Sequence, residues 1–267
     1  MIILITGATD GIGLETARQL AMQGHELVLH GRSEAKLELA KTDILRSAPQ
    51  AHLQSVCADF AHLGEVLQMA QELSIRLPHL DVLINNAGVY LKQCAQSQDG
   101  FEMTLVVNHL AHFLLTLHLL PLLKNSTAPR VVTVSSMVHS DGRFPFAEMN
   151  CKGHYDGYQA YANSKLANSL FARELARREA WLRSNSLHPG VIGTKLLHAA
   201  FNIHGDDVRS GAETSVYLAT SEKVAGMSGK YFDHCAVVAS ARQVEDLQLA
   251  QQLWAWSMQA VQPWLQK

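Results

Sequence analysis

The stretch IILITGATDGIGLETARQLA, residues 2–21, decides the fold of this chain. Its first four residues are continuously apolar, as in a buried strand, and its last eight carry apolar residues at helical spacing. The turn between them has the glycine spacing G-x-x-x-G-x-G rather than the more common G-x-G-x-x-G. Glycines let such a turn approach a pyrophosphate, and the helix N-terminus beyond it offers unpaired N–H groups. The stretch therefore predicts a strand, a phosphate-binding turn and a helix.

The alternation of strand and helix continues along the chain without a change in composition. We expect strands at 2–5, 26–30, 52–58, 81–84, 130–134, 182–188 and 229–232, and helices at 33–46, 63–77, 101–124, 210–220 and 242–261. Such alternation is typical of an α/β fold with a doubly wound parallel sheet of about seven strands and helices on both faces. At this length we expect a single domain covering residues 1–267.

The overall charge is nearly balanced, with 22 basic and 24 acidic residues and a net charge of −2. This gives no basis for a nucleic-acid partner or for binding to an anionic membrane. No signal peptide precedes the first strand, and the apolar run at 109–123 is short and interrupted by histidines and a proline. We therefore expect a soluble, cytoplasmic protein without a stable membrane anchor.

The four cysteines, Cys57, Cys94, Cys151 and Cys235, lie far apart in the sequence and form no C-x-x-C pair. This spacing predicts neither a disulfide framework nor a thiolate metal site, and it fits a reducing compartment.

A possible acid/base pair occurs at 161–165, where Tyr161 precedes Lys165 by four residues in a predicted helix. Ionising a phenol of ordinary pKa at neutral pH costs roughly 4 kcal/mol. An ammonium about 4 Å away contributes on the order of 4 kcal/mol at an effective dielectric near 20, so the pair could exchange protons. Taken alone the pattern is weak, because a surface lysine one turn after a packed tyrosine is common.

The end of the second strand carries Gly31 and Arg32 where an acidic residue would hold the two hydroxyls of an adenosine ribose. A guanidinium can pair with a 2′-phosphate, so Arg32 favours NADP over NAD, although it could simply cap a solvated turn. Asp10 argues against NADP, because a basic residue there would help a phosphate. Asp59, after the third strand, is placed either to meet an adenine amino group or to cap the next helix.

Six motifs now stand in order along the chain: TGATDGIG at 6–13, NNAG at 85–88, Asn108, VSS at 134–136, YANSK at 161–165 and HPG at 188–190. Together they resemble the short-chain dehydrogenase/reductase family over about residues 2–235. The phrases VNHLAHFLLT, YANSKLANSLFARELARR and GKYFD are more narrowly similar to its retinol-dehydrogenase-like branch, which contains many carbonyl reductases. The resemblance implies a Rossmann-type fold and an oxidoreductase.

The resemblance also implies the catalytic residues. Ser136 would donate to the substrate oxygen, with Ser135 as the fallback, and Tyr161 would exchange the proton. Lys165 would bind the nicotinamide ribose and lower the Tyr161 pKa. Asn108 would distort its helix and hold a water that links Lys165 to solvent.

The implied cofactor is NADP, with NAD less favoured. The expected contacts are Thr6, Gly7, Asp10, Gly11, Ile12, Gly13, Arg32, Asp59, Asn86, Ala87, Gly88, Tyr161, Lys165, Pro189, Gly190, Ile192 and Thr194. In the family, the helix that carries Asn108 commonly pairs with a second copy, so we expect a homodimer or homotetramer. Three histidines on that helix, His109, His112 and His118, lack a third ligand at helical spacing. We therefore expect them to pack in the subunit interface rather than bind zinc, and we expect no metal.

Two segments are predicted to select the substrate. Residues 137–160 form a long stretch with aromatic side chains and no clear periodicity, interpreted as a substrate-side flap or as a surface excursion. Residues 196–207 match the variable substrate loop of the family, with Leu197, Phe201 and Ile203 as possible contacts. The tryptophans near the C-terminus are expected to be buried against the domain or a partner chain.

The sequence thus predicts an NADP(H)-dependent oxidoreductase that transfers a hydride between nicotinamide and a hydrophobic alcohol, aldehyde or ketone. One alternative is a non-catalytic NADP(H)-binding regulator on the same fold, but all four catalytic positions are filled. Another is a nucleotide-sugar epimerase or dehydratase, which shares Tyr-x-x-x-Lys. Members of that class have a G-x-x-G-x-x-G turn and a longer chain with a substrate domain, and this sequence shows neither feature.

Overall fold

The computed structural model describes residues 1–144, 151, 155–201 and 204–265, except for the side chains of residues 199–201. The described residues form one eight-stranded sheet in the order β3-β2-β1-β4-β5-β6-β7-β8. The strands are β1 (Ile2–Ile5), β2 (Glu26–Gly31), β3 (Leu53–Cys57), β4 (Val82–Asn85), β5 (Arg130–Val134), β6 (Arg183–His188), β7 (Tyr231–Asp233) and β8 (Ala236–Val238). Strands β1 to β7 are parallel, which confirms the predicted α/β fold.

Helices cover both faces of the sheet. They are α1 (Gly11–Met22), α2 (Glu34–Ser47), α3 (Leu63–Arg76), α4 (Met103–Leu105), α5 (Ala111–Lys124), α6 (Gly157–Arg178), α7 (Lys195–Phe201), α8 (Val208–Thr220) and α9 (Leu247–Leu265). A π-helical turn, Val106–Leu110, joins α4 to α5 without a break.

The core has one layer on each face of the sheet. Side chains from α1, α2 and α8 pack on one face, and those from α3, α5, α6 and α9 pack on the other. Strand β1 is buried along its whole length, because both of its faces lie under helices. Its carboxyl end therefore opens into the glycine-rich turn at the edge where parallel strands place their ligands.

The last strand of the sheet was not predicted. After β7 the chain turns through His234 and Cys235, both with positive φ (47° and 61°), and β8 returns antiparallel to β7. All three residues of β8 are exposed. A three-residue strand at the sheet edge has too few buried positions to show a pattern in the sequence.

The long apolar helix differs from its prediction in length and surroundings. The continuous helical segment Met103–Lys124 has 22 residues, so the argument that this region is too short to cross a membrane was wrong. However, 78% of its most apolar window is buried inside the protein, as expected for a core helix.

Helix α9 lies across α5 and α6 of the same chain. Trp254 packs on Phe113 at 4.9 Å between ring centroids and stacks on Phe171 at 6.0 Å. His109 bonds to Ser257 of α9 at 2.8 Å. Trp254 is therefore buried against its own domain, which is one of the two alternatives predicted from the sequence. The expectation that these histidines pack against a second copy was wrong for His109, which is covered by its own C-terminal helix.

One expectation about the cysteines is also overturned. Cys94 and Cys151 form a disulfide with their Cα atoms 5.6 Å apart. They are separated by 57 residues in the chain, which is why spacing gave no signal. Cys57 and Cys235 are free thiols.

Candidate active site

The glycine-rich turn closes tightly between β1 and α1. Gly7 and Gly11 have positive φ angles of 67° and 53°, which L-residues with side chains rarely adopt. A Cβ on Gly13 would lie 2.2 Å from the Gly7 carbonyl oxygen and 2.4 Å from Asn86 Nδ2. Helix α1 begins at Gly11, so the peptide N–H groups of its first turn stand at this cradle. These residues fit the pyrophosphate of a dinucleotide.

Thr6 supports the turn after β4 from below. Its fully buried hydroxyl oxygen accepts the backbone N–H of Asn86 at 2.8 Å and of Ala87 at 2.9 Å. The Asn86 side chain donates to the Thr6 carbonyl at 2.7 Å. The Thr6 and Asn86 side chains thus lock the two turns together, and their direct contact with a cofactor stays a prediction.

Asn108 lies in the π-helical turn, where the helix is locally widened. Its Nδ2 donates to the Val89 carbonyl at 3.0 Å and to Ser164 Oγ at 2.9 Å. Its Oδ1 accepts the Val89 N–H at 2.8 Å. Ser164 Oγ in turn donates to the Tyr161 carbonyl at 2.7 Å. The predicted helix distortion is present, and the side chain of Asn108 ties the loop after β4 to α6.

Tyr161 and Lys165 lie on α6 and are almost fully buried. Lys165 Nζ is 5.4 Å from the Tyr161 ring centroid and donates to the Val134 carbonyl at 3.1 Å. Burial lowers the pKa of Lys165 to about 8. Burial also raises the pKa of the Tyr161 phenol. This effect opposes the lowering of the Tyr161 pKa that was predicted from the nearby Lys165 charge.

The structure distinguishes the two serines after β5. Ser135 is buried, donates from Oγ to the Lys165 carbonyl at 2.8 Å and accepts from Ser169 Oγ at 2.8 Å. Ser136 is half-buried and begins a 3-10 turn, and among the described residues its Oγ accepts a long bond from the Val138 N–H at 3.4 Å. Ser135 thus holds α6 against β5, and contact of Ser136 with a substrate stays a prediction.

The segment after β6 covers the glycine-rich turn. Gly190 has a φ of 96°, and Ile192 is buried and pairs with Asp206 in an isolated bridge. A Cβ on Gly11 would be 3.3 Å from Thr194 Cγ2, so Thr194 stands directly over the start of α1. The Pro189-Gly190 turn therefore brings its residues to the predicted dinucleotide cleft.

At the adenosine end, Arg32 is exposed just after β2. Asp59 Oδ1 accepts the Ala61 N–H at 3.0 Å in the turn that leads to α3, but the N-cap residue of α3 is His62, so the predicted capping of that helix by Asp59 was wrong. Asp10 caps α1 through the Gly11 N–H at 2.9 Å and forms an ion pair with Lys195. The hydrogen bond from Lys195 is the main cause that lowers the pKa of Asp10.

The two predicted substrate segments are only partly visible. The Tyr155 hydroxyl donates to buried Glu102 at 2.9 Å, so this aromatic residue anchors the start of α6. The Tyr158 hydroxyl donates to Asp141. Leu197 is buried on the short helix α7, and the side chain of Phe201 is not described. Residues 145–150, 152–154 and 202–203, which include Ile203, lie outside the described part of the chain.

Sequence reasoning missed Tyr90. Its ring meets the Tyr161 ring edge to face at 5.7 Å between centroids. Tyr90 is half-buried and follows the NNAG turn by two residues. Its position directly after that motif was the available signal.

Comparison with known proteins decides the family. The sequence model of the short chain dehydrogenase family matches residues 1–202. The chain belongs to the short-chain dehydrogenase family. It is therefore an oxidoreductase that acts on CH–OH groups.

Relatives place this short-chain dehydrogenase in the retinol-dehydrogenase-like branch. Human retinol dehydrogenase 13 is 38% identical, with 97% of this chain and 84% of that protein covered. Mouse retinol dehydrogenase 14 is 39% identical, with 94% and 83% covered.

Solved structures agree with the fold. A crystal structure from Mycobacterium paratuberculosis matches with a TM-score of 0.81 at 34% identity, covering 98% of this chain and 93% of that one. A short-chain dehydrogenase of Shigella flexneri in complex with NADP matches with a TM-score of 0.72 at 30% identity, covering 88% and 97%. The NADP complex supports a nicotinamide cofactor for this short-chain dehydrogenase.

Proposed function

We propose that this short-chain dehydrogenase is NADP(H)-dependent and acts on a hydrophobic alcohol, aldehyde or ketone. The proposal rests on one observation: the loop after β4, the π-helical turn and α6 come together around the buried Lys165. The loop after β4 reaches Lys165 at Gly88. A Cβ added to Gly88 would lie 3.7 Å from Lys165 Nζ and 3.4 Å from Asn108 Oδ1. Tyr161 lies on the same helix as Lys165, and the π-helical turn supplies Asn108.

In the proposed mechanism, a bound nicotinamide supplies the hydride chemistry at its C4. Tyr161 exchanges the proton with the substrate oxygen, and Ser136 donates a hydrogen bond to that oxygen. Lys165 binds the nicotinamide ribose, and its positive charge opposes the rise in the Tyr161 pKa that burial causes. Asn108 completes a proton path to solvent through water. Because the ionised phenol is the base for alcohol oxidation, oxidation should become faster as pH rises, up to about pH 8, where Lys165 begins to lose its charge.

The direct test follows NADPH absorbance during incubation with a panel of aldehydes and ketones. The relatives are named retinol dehydrogenases, so the panel includes retinal besides aliphatic and aromatic carbonyls of increasing size. We expect turnover with the larger apolar members. Cofactor binding without turnover across the whole panel would favour the alternative, a non-catalytic NADP(H)-binding regulator.

The preference for NADP rests on Arg32 and on the charge around Asp10. Arg32 is exposed at the carboxyl end of β2 and available for a 2′-phosphate. The negative charge of Asp10 would repel a 2′-phosphate. However, Asp10 forms an ion pair with Lys195 and is also stabilised by the positive charge of Lys36. This pairing reduces the repulsion that Asp10 would exert on the cofactor.

We expect Arg32→Ala to weaken NADP⁺ binding about tenfold while leaving NAD⁺ binding unchanged, because a charged hydrogen bond to phosphate contributes roughly 1.5–3 kcal/mol. Calorimetric dissociation constants for both cofactors measure this. Arg46→Ala, which removes an exposed guanidinium from the end of α2, is the control. Equal NADP⁺ affinity in wild type and Arg32→Ala would contradict the assignment.

Tyr90 is proposed to line the substrate side of Tyr161. We expect Tyr90→Ala to raise KM about tenfold for a bulky apolar substrate, because an aromatic side chain buries a large area. A small carbonyl compound serves as the internal control and should show a much smaller change. A similar KM increase for both substrates would argue against a specificity role.

Localisation and assembly are also proposals. We propose a cytoplasmic location, against which the Cys94–Cys151 disulfide argues because disulfides are rare in reducing compartments, and cell fractionation tests it. We retain a homo-oligomer as well, although α9 occupies the expected face of α5, so a second copy would use another surface. Light scattering measures the assembly state.

A further inference from the structure

His112 lies in the core one turn after Asn108, at 1% exposure, and has no role in the proposed reaction. Its Nδ1 is 3.0 Å from the Asn108 carbonyl oxygen. Its Nε2 is 2.9 Å from Thr6 Oγ1. The ring thus spans the distance between the end of β1 and the π-helical turn.

The direction of these two bonds follows from their chemistry. A carbonyl oxygen only accepts, so the Asn108 bond requires a proton on Nδ1 of the ring. Burial lowers the pKa of His112 to about 3, so the ring is neutral and Nε2 is an acceptor. The Thr6 oxygen already accepts the N–H groups of Asn86 and Ala87, so its own proton is available for Nε2. The other acceptor for that proton, the Ile84 carbonyl, lies farther away at 3.3 Å.

The resulting chain joins both halves of the cleft. On one side it ends at the Asn86–Ala87 turn, which packs against the glycine-rich cradle. On the other side it ends at Asn108, whose side chain bonds to Val89 and Ser164. Each member donates to the next and is satisfied, which is the condition for a buried polar network to define a single geometry.

We propose that His112 is a positioning residue that fixes the backbone of Asn108 relative to Thr6. Through the bond between Asn108 and Ser164, it holds α6 in register with the glycine-rich turn. This inference rests on the proposed function for its kinetic consequences. Its structural content, the Nδ1–H tautomer and the two bonds, does not depend on any substrate.

A matched pair of variants tests the inference. His112→Phe keeps the ring volume and removes both bonds. His109→Phe makes the same change at a ring of equal exposure on the same helical segment, which bonds to Ser257 of α9 instead. We expect His112→Phe to lower kcat about 10- to 100-fold, because displacing a catalytic group by about 1 Å can cost 10²-fold. We expect His109→Phe to stay within about threefold of wild type.

Two conservative variants separate the two bonds. His112→Asn retains a donor near the Nδ1 position and should recover part of kcat. His112→Gln retains an acceptor for Thr6 near the Nε2 position. Compared with His112→Phe, it should bind NADP⁺ more tightly and show a smaller gain in kcat. Thermal unfolding of each variant shows how much of any loss comes from instability, and dissociation constants give a readout without turnover.

A spectroscopic measurement completes the test. The ¹⁵N shifts of His112, assigned by their disappearance in His112→Phe, should show a neutral ring protonated on Nδ1 at pH 7. A ring protonated on Nε2 would overturn the inference, as would equal kcat in folded His112→Phe and His109→Phe. Tyr161→Phe is measured alongside. If it keeps wild-type turnover, the proposed function has failed; if it is inactive and the histidine variants are equal, only the role of His112 has failed.

Discussion

Tyr161→Phe is expected to lower kcat by about 10³-fold or more, because general acid/base groups contribute typically 10²–10⁴-fold and the phenol is the proposed proton carrier. The substitution removes one oxygen and keeps the ring. The edge contact with Tyr90 and the position over Lys165 should therefore be preserved. Steady-state turnover of a carbonyl substrate with NADPH measures the loss.

NADPH binding separates this loss from a folding defect. We expect the dissociation constant of Tyr161→Phe to stay within about fivefold of wild type, because one lost hydrogen bond contributes about 1 kcal/mol. Tyr158→Phe is the matched control on the same helix, since its hydroxyl bonds to Asp141. Substantial turnover by Tyr161→Phe would refute the assigned role, whatever the behaviour of the control.

Lys165→Met is expected to lower kcat about 10²-fold or more. The ammonium supplies positive charge near the phenol and is the proposed ligand of the nicotinamide ribose. Without it, burial raises the pKa of Tyr161 and no ammonium one turn along the helix opposes that rise. NADPH affinity should also fall, which distinguishes this variant from Tyr161→Phe. A Lys165→Met protein with wild-type kcat and affinity would contradict both roles.

The same variant should be more stable than wild type at pH 7, because it removes a buried charge. Lys165 has a lowered pKa of about 8 against an ordinary value of 10.5. Below pH 8 both folded and unfolded chains bind the proton, and the full cost of burial applies. Between pH 8 and 10.5 the unfolded chain binds more protons, so the unfolding free energy of wild type rises with pH. The Val134 carbonyl keeps a donor in the variant, since Asn168 Nδ2 lies 3.2 Å away.

Urea unfolding at several pH values measures this effect. Relative to Lys165→Met, wild type should gain on the order of 2 kcal/mol between about pH 7 and pH 9.5. Lys124→Met, which removes an exposed ammonium at the end of α5, should show the pH slope of wild type. Parallel pH profiles for wild type and Lys165→Met would show that burial does not shift this lysine.

The sequence predicted the elements of the fold where local patterns are strong. Apolar runs gave the seven parallel strands, and the glycine spacing gave the turn between β1 and α1. It failed where the pattern is short or the contact is distant in the chain. Strand β8 has three exposed residues, and the disulfide joins residues 57 positions apart. Neither feature leaves a periodic signal.

The candidate site shows the same division. The motifs shared with the family predicted Asn108, Ser136, Tyr161 and Lys165 as catalytic residues, and the structure brings Asn108 and Lys165 together at Gly88. The resemblance favoured Ser136 and left Ser135 as the fallback, and the contacts support that order, because Ser135 Oγ bonds to the Lys165 carbonyl and to Ser169. The role of His112 was hidden, because its partner Thr6 is 106 residues away.

The sequence by itself therefore determined the family and the order of the seven parallel strands and their helices, and it predicted the catalytic side chains. These depend on residue type and local spacing, which the chain carries directly. Only the tertiary structure decided the electrostatic environment of Tyr161 and Lys165. Burial raises one pKa and lowers the other, and burial depends on which distant segments pack over α6. Helix α9 and the loop after β4 are such segments, and their placement is fixed by contacts across the whole chain rather than by local pattern.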